Sequence, residues 1–253
     1  MNIAVLLNMV PDLVEDLEID ASGTALDTQW MRYVLSESDE HALEQALLLK
    51  GRLGARVTVL ALESGDAEEA LFSSLAKGAD EAVKITGVSP GHSKRALAAT
   101  FKEALKNMPS DLILTGVYAI DDLDGHVAGL LAGMMGLPFV GVTRSVEPAD
   151  GHVVVQKELP GGAAVEIEVG LPAVLGVLSA PQPPRYVPVA KIRETRKSRA
   201  LVERVTAPVQ PDGVTIRRLF KPEPAERATM LEGSPEEVAR QIAALLRQRG
   251  LVR

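Results

Sequence analysis

Asp121, Asp122 and Asp124 crowd together in the run DLILTGVYAIDDLDGHVA from Asp111 to Ala128, with Gly116 before them and Gly125 after. Carboxylates at that spacing can cap a helix or accept hydrogen bonds from ribose hydroxyls. The run starts as an apolar strand, turns through the acids and enters a helix, where backbone N–H groups can hold a phosphate. The acids would repel a phosphoryl group, so the N–H groups must face it. Gly116 lets the chain leave the strand tightly, and Gly125 permits close backbone approach. A helix merely capped by three acids fits the same residues, and both readings stay open here.

Other motifs fail on named atoms. Gly87-Val88-Ser89-Pro90-Gly91 has the form of a nucleophile elbow, but Pro90 lacks the N–H that an oxyanion hole needs after the serine. Ser74-Leu75-Ala76-Lys77 falls at a predicted helix end without companion motifs. A calcium loop counted from Gly125 would put Ile120 and Leu131 where ligands are required. His41, His92, His126 and His152 are scattered without ligand spacing, so no metal site is expected. Neither the dinucleotide fingerprint nor the P-loop occurs, and no catalytic side chain emerges.

The elements that must position the acidic turn read clearly. Ile3 to Leu7 is a buried first strand, and LEIDASGTALD reads as a hairpin around Ser22-Gly23. Asp39 to Lys50 predicts a helix with Ser38 or Asp39 as N-cap, ended by Gly51 and Gly54. Arg56 to Leu62 is a strand; Asp66 and Glu69 have capping-box spacing for a helix stopping at Gly78. Glu81 to Ile85, a helix over Ser93 to Asn107, and a strand over Asp111 to Thr115 complete the series. This alternation predicts an α/β fold, a parallel sheet with helices on both faces in a universal-stress-like, adenine-nucleotide-binding architecture.

From Phe139, four strand-like runs ending in AVLGVLSA predict an antiparallel meander at the sheet edge or covering it, with a turn at Pro160-Gly161-Gly162. Residues 181–230, rich in proline and charge, read as an extended arm. Ser234, Pro235 and Glu237 open a terminal helix whose apolar face holds Val238, Ile242, Leu245 and Leu246. The expected organisation is an α/β domain over 1–180, an arm over 181–230, and a helix over 231–253 whose apolar face packs on a partner subunit or back on its own sheet.

Composition narrows the function. The 253 residues are 46% hydrophobic and 24% charged, as in an ordinary globular chain. A net charge of −7 and only 3% aromatics argue against nucleic acid. The absence of cysteine excludes disulfides, thiolate metal sites and a Cys nucleophile. No apolar run reaches membrane-span length and the first residues do not form a signal peptide, so a cytoplasmic protein is expected.

Five segments in order resemble the electron transfer flavoprotein beta (small) subunit family. They are VLLNMVPD at 5–12, SESDEHALEQALLLK at 36–50, SLAKGADEAVKI, the acidic run continuing to GMMGLP, and GLPAVLGVLSAPQPPRY. The resemblance implies an electron carrier subunit, not an enzyme with catalytic side chains. It implies a heterodimer with an alpha subunit, FAD shared with that subunit, and a structural AMP. Electrons would come from acyl-CoA or other flavin dehydrogenases and pass to a membrane quinone oxidoreductase or another acceptor. Carried over by position, nucleotide contacts are Leu6, Ser36, Glu37, Ser38, Asp39 and Leu62. The acidic turn adds Gly116, Val117, Tyr118, Ala119, Ile120 and Asp121, then Asp122, Leu123, Asp124, Gly125, His126 and Val127. The resemblance places a recognition loop over about 177–199, with Arg185, Tyr186, Val189 and Ile192 as partner contacts and Val189 as its anchor.

The chain departs from that pattern in places. Asn8 replaces a lysine, and Leu13 and Ser38 stand where the family sets aromatics against the flavin ring. His126 replaces the glutamine that ends the acidic motif, and Leu159 to Ala163 lacks the family hairpin's acid. Within the family, the alternative is an electron-bifurcating subunit with a second FAD in the AMP position. Outside it, the alternatives are a stand-alone universal-stress-type nucleotide module and, disfavoured by Pro90, a serine hydrolase.

Overall fold

The computed structural model describes residues 1–87, 93–207, 214–223 and 228–252. One unit spans Met1–Arg218. It opens with β1 (Asn2–Leu7), a short antiparallel pair of β2 (Met9–Pro11) and β3 (Tyr33–Leu35), then α1 (Glu37–Leu53) and β4 (Arg56–Leu62). Next come α2 (Ala67–Lys77), β5 (Glu81–Thr86), α3 (Lys94–Leu105), β6 (Leu112–Gly116) and α4 (Val127–Met135). β7 (Phe139–Pro148), β8 (His152–Glu158) and β9 (Ala164–Gly170) are followed by β10 (Ala173–Val177), α5 (Val189–Ser198) and β11 (Val202–Val205). A second unit, Leu219–Arg253, contains α6 (Pro235–Gln248).

Apart from the β2–β3 pair, the described strands of the first unit make one nine-stranded sheet in the order β11-β5-β4-β1-β6-β10-β7-β8-β9. It is parallel from β11 to β7 and antiparallel through β8 and β9. The central strands are continuous apolar runs because both of their faces are covered. In β1, Ile3, Val5 and Leu7 pack under α1 and α2, while Ala4 and Leu6 pack under α3 and α4. Leu43, Leu47, Leu71 and Leu75 complete the first layer; Leu97, Phe101, Val127 and Leu131 complete the second.

Several expectations change. AVLGVLSA does not join the edge meander: β10 runs parallel between β6 and β7, and all five of its residues are buried. An apolar run without alternation is the mark of an interior strand. The segment read as an extended arm contains α5 and β11, and β11 adds to the sheet edge beside β5. Charge holds it there: Lys84 Nζ lies 3.0 Å from Glu203 and 2.8 Å from Glu68, and these carboxylates raise the lysine pKa. Arg196 of α5 sits over the Phe72 ring at 5.0 Å. The hairpin around Ser22-Gly23 reduces to a turn with one bridge, Ile19 to Leu26. Gly51 lies inside α1, and Gly54 alone ends it, in the left-handed conformation. Asp66 is the N-cap of α2 but makes no side-chain cap bond.

Glu44 of α1 is buried and receives Arg185 N at 3.0 Å, Nε at 2.8 Å and Nη2 at 2.7 Å. Burial works against its charge, but the Arg185 hydrogen bonds prevail and hold the carboxyl below its ordinary value. Arg185→Ala would leave a buried carboxylate short of donors and is expected to cost about 1–2 kcal/mol, read from the urea midpoint.

In the second unit, the capping box of α6 forms as predicted: Ser234 Oγ accepts from Glu237 N, and Glu237 Oε2 accepts from Ser234 N at 2.7 Å. Ser234→Ala is expected to cost about 1 kcal/mol of helix stability, visible as faster amide exchange in the first turn of α6.

Candidate functional site

In an open parallel sheet, ligands enter at the carboxyl ends of strands whose connections go to opposite faces. β1 and β6 meet that condition, since α1 covers one face and α4 the other. Asp39, in the first turn of α1, reaches into the gap between them. Its carboxylate accepts from Asn8 N at 2.8 Å, Gly116 N at 2.5 Å and Thr115 Oγ1 at 3.1 Å, so it ties both strand ends together. Complete burial pushes this carboxyl up to about 6, against the pull of those hydrogen bonds and of Lys94. Asp39 is therefore not the N-cap: Ser36 holds that position, without a side-chain cap bond, and the Asp39 carboxylate is committed to the strands.

Neighbouring residues tighten the crevice. Ser38 Oγ donates to Tyr118 O at 2.6 Å, fastening the start of α1 to the acidic turn. A Cβ on Gly116 would stand 2.2 Å from Ser38 Oγ, so only glycine fits. Val117 N donates to Val177 O at 2.9 Å, and the turn passes close over Gly176. Gly125, at φ +129°, adopts a conformation that side chains disfavour.

The three acids do not cap the helix that follows them. Asp124 turns to α3 instead, accepting from Ser93 Oγ at 2.7 Å and Lys94 N at 2.6 Å. Burial opposes its charge, yet those bonds keep its carboxyl below the ordinary value. Asp121 takes the Lys94 ammonium at 2.7 Å and Asn8 Nδ2 at 3.4 Å. Asp122 Oδ2 accepts from Ala119 N at 2.9 Å and lies 2.7 Å from His126 Nδ1. Asp122 Oδ1 is buried without a hydrogen-bond partner, 3.8 Å from Lys94 Nζ. At α4 the N-cap is His126, with no side-chain cap bond and no acid in the first turn. The acids belong to α3 and the loop, which leaves the first N–H groups of α4 for something else.

The expected contacts divide. Asp39, Ser38 and Gly116 assemble around the crevice with Ala119, Asp122, Val127 and the main chain of Tyr118. Leu62, at the end of β4, lines an adjoining cavity of about 370 Å³ with Asn8, Tyr33, Ser64, Lys94 and Asp121. Leu6 is sealed in the α3–α4 layer and can offer a ligand only main chain. Ser36 is buried, Glu37 is exposed, and Tyr118, Ile120 and Leu123 point to solvent. On the other segment, Arg185 and Ile192 turn toward the chain's own body, whereas Tyr186 and Val189 are exposed, as is Leu13. The elbow-like residues 88–91 fall outside the described residues.

Sequence reasoning missed Lys94, Asn8 and Thr115 as site residues. Lys94 left a signal: a cation at the first position of a helix opposes the helix dipole and calls for acids elsewhere. Asn8 and Thr115 act through strand-end positions that only the register brings together. Among the described residues no cluster could hold a metal ion, and no helix is long and apolar enough to cross a membrane.

Fold and crevice together define a doubly wound α/β protein with an open crevice at the β1/β6 switch point. The sequence model of the electron transfer flavoprotein domain matches residues 24–210, and the chain belongs to this family, on its beta-subunit side. It is similar to the electron transfer flavoprotein subunit beta of Methylophilus methylotrophus, 29% identical over 98% of each chain. It is 34% identical to the Clostridium acetobutylicum subunit beta, over 76% of this chain and 74% of that one. A caffeyl-CoA reductase–Etf complex subunit of Acetobacterium woodii is 30% identical over 77% and 74%. Membership supports the reading of an electron carrier subunit.

Proposed function

We propose that this chain, with an electron transfer flavoprotein alpha subunit, forms a heterodimer that carries electrons from flavin-dependent dehydrogenases to an acceptor such as a quinone oxidoreductase. AMP fills the β1/β6 crevice as a structural nucleotide, and FAD is shared with the alpha subunit. The observation that carries the nucleotide reading is the uncapped start of α4 beside the buried Asp122 Oδ1, which accepts no hydrogen bond. Free N–H groups suit a phosphate, and a lone carboxylate oxygen suits a ribose hydroxyl. Glycines at 116 and 176 let main chain approach closely.

When bound, the flavin supplies the redox chemistry. The chain's own residues do the holding. Asp39 and Ser38 fix the two strand ends and the acidic turn, and Lys94 offsets the negative charge of Asp121. The exposed Leu13, Tyr186 and Val189 supply apolar surface to the alpha subunit and to docking dehydrogenases. The organisation proposed is a nucleotide-binding body over 1–180, a recognition segment over 181–230 and a partner-packing helix over 231–253.

Co-expression with the alpha subunit, acid release and quantification of nucleotides test this reading. One FAD and one AMP per heterodimer are expected, with a flavin reducible by an acyl-CoA dehydrogenase and its substrate. Two FAD and no AMP would replace the AMP assignment by the bifurcating one. A complex without flavin would end the carrier reading.

A further inference from the structure

We propose that His41 is a pH-sensitive latch on the segment that carries Tyr186 and Val189, holding its start against α1 when the imidazole is neutral and releasing it when the ring takes a proton. The geometry lies on one face of α1. Half-buried His41 accepts at Nδ1 from Ala180 N at 3.2 Å. Glu44, one turn further on, accepts from Arg185 N at 3.0 Å and from its guanidinium at 2.8 and 2.7 Å. Between the two anchors run Pro181, Gln182, Pro183 and Pro184. Proline carries no N–H and fixes φ, so this stretch is stiff, and of the N–H groups left from Ala180 to Arg185, α1 holds the first and the last. Tyr186, 82% exposed, and Val189, 56% exposed, come next, and α5 buries none of its residues, so the anchors help to set where it begins.

Only one form of the ring can make this bond. A ring that accepts at Nδ1 keeps its proton on Nε2, and a second proton would set an N–H on Nδ1 against the N–H of Ala180. Imidazoles ordinarily make that change between about pH 5 and 8. Because the neutral form is the bonded one, the anchor is present above the imidazole range and is lost as pH falls through it. Glu44 behaves differently. Burial opposes its charge, but the Arg185 hydrogen bonds prevail and hold the carboxyl below its ordinary value, so that anchor survives mild acid. With Ala180 released, the proline stretch hangs between Ser179, whose N–H reaches Thr143 O at 3.4 Å, and Arg185.

The charges around α1 favour that release. Glu37, four residues before His41 on the same helix, is exposed, so a charged ring that turns outward meets a carboxylate. Other charged groups on the neighbouring elements have partners of their own. Glu40 pairs with Lys77 of α2 at 3.5 Å, Arg52 with Glu147 of β7 at 2.6 Å, Arg144 of β7 with Glu158 at 3.4 Å, and Arg56 of β4 with Glu81 at 2.5 Å. β1, β6 and β10 carry no titratable side chain. Asp39, two residues before His41, is raised by burial to about 6 and so titrates in the same range, but its carboxylate is enclosed by Asn8, Thr115 and Gly116.

Hydrogen–deuterium exchange of the full chain at about pH 5.5 and about pH 7.5, corrected for the intrinsic pH dependence of amide exchange, tests the latch. Ala180 should lose protection about tenfold at the lower value, the worth of one hydrogen bond, while Arg185 stays protected at both. The prolines carry no amide hydrogen, so few sites share a peptide with these two. In His41→Leu, Ala180 should exchange fast at both values. In His41→Gln, whose amide does not titrate, its protection should be the same at both. Equal protection of Ala180 at the two values in the unaltered protein overturns the proposal. So does a loss in acid that persists in either variant, which would trace to Asp39. A loss shared equally by Arg185 overturns it as well, because the whole segment would then be opening rather than its first anchor.

Discussion

Gly116→Ala is expected to destabilise the protein by about 3 kcal/mol and to abolish the nucleotide retention proposed above. The added Cβ would meet Ser38 Oγ at 2.2 Å and both the backbone N and Oδ1 of Asp39 at 2.9 Å. Ser38 Oγ alone could rotate away, although that would break its bond to Tyr118 O. The Asp39 backbone has no such freedom, because it lies in the first turn of α1 and its carboxylate holds two strand ends. Relief must come from moving the helix start away from β6, and overpacking of this kind costs about 1–3 kcal/mol. The upper end applies because backbone, not a side-chain tip, blocks the methyl. Thermal unfolding gives the stability, and nucleotide analysis of the purified complex gives the retention. A variant of unchanged stability that still carried AMP would show that α1 and β6 separate easily.

The sequence announces the layers and hides the contacts. Apolar runs such as Arg56–Leu62 and helical stripes such as that from Leu97 to Leu105 have local periods, so strands, helices and their alternation are legible. The place of β10 could have been read too, since AVLGV lacks the alternation of an edge strand. β11 could not: VERV is short and charged, and what docks it is Lys84 on a strand more than a hundred residues earlier.

The same division runs through the crevice. The acidic turn stands out in sequence because its residues are adjacent. Their assignments do not, because Asp124 serves α3, Asp121 serves Lys94, and the acid at the centre of the gap is Asp39, from another helix. Local spacing suggested that the acids cap α4. Tertiary contacts leave α4 uncapped, which is the more consequential arrangement for binding an anion.

Asp39→Asn is expected to change how stability responds to pH, and its sign follows from burial. The native carboxyl lies at about 6, above its ordinary 3.8, so the folded chain holds this proton more tightly than the unfolded chain does. Its contribution to stability is therefore fullest below about pH 4, declines as pH rises toward 6, and is then constant. The total decline is about 3 kcal/mol. Asparagine has no such term. It also has one acceptor oxygen and an NH₂ where the acid, charged or protonated, keeps acceptor lone pairs on both oxygens, so either Asn8 N or Gly116 N would face an amide NH₂, at a cost of about 1–3 kcal/mol. The variant should be the less stable protein at pH 4, and the gap should narrow by about 3 kcal/mol by pH 7. Urea unfolding of both proteins across that range isolates the effect, because Glu44, Asp80 and Asp124, all held below their ordinary values, are common to both and cancel in the difference. A gap that widened with rising pH would mean that the three hydrogen bonds to Asp39 outweigh its burial. The crevice would then be one that prefers its central acid charged.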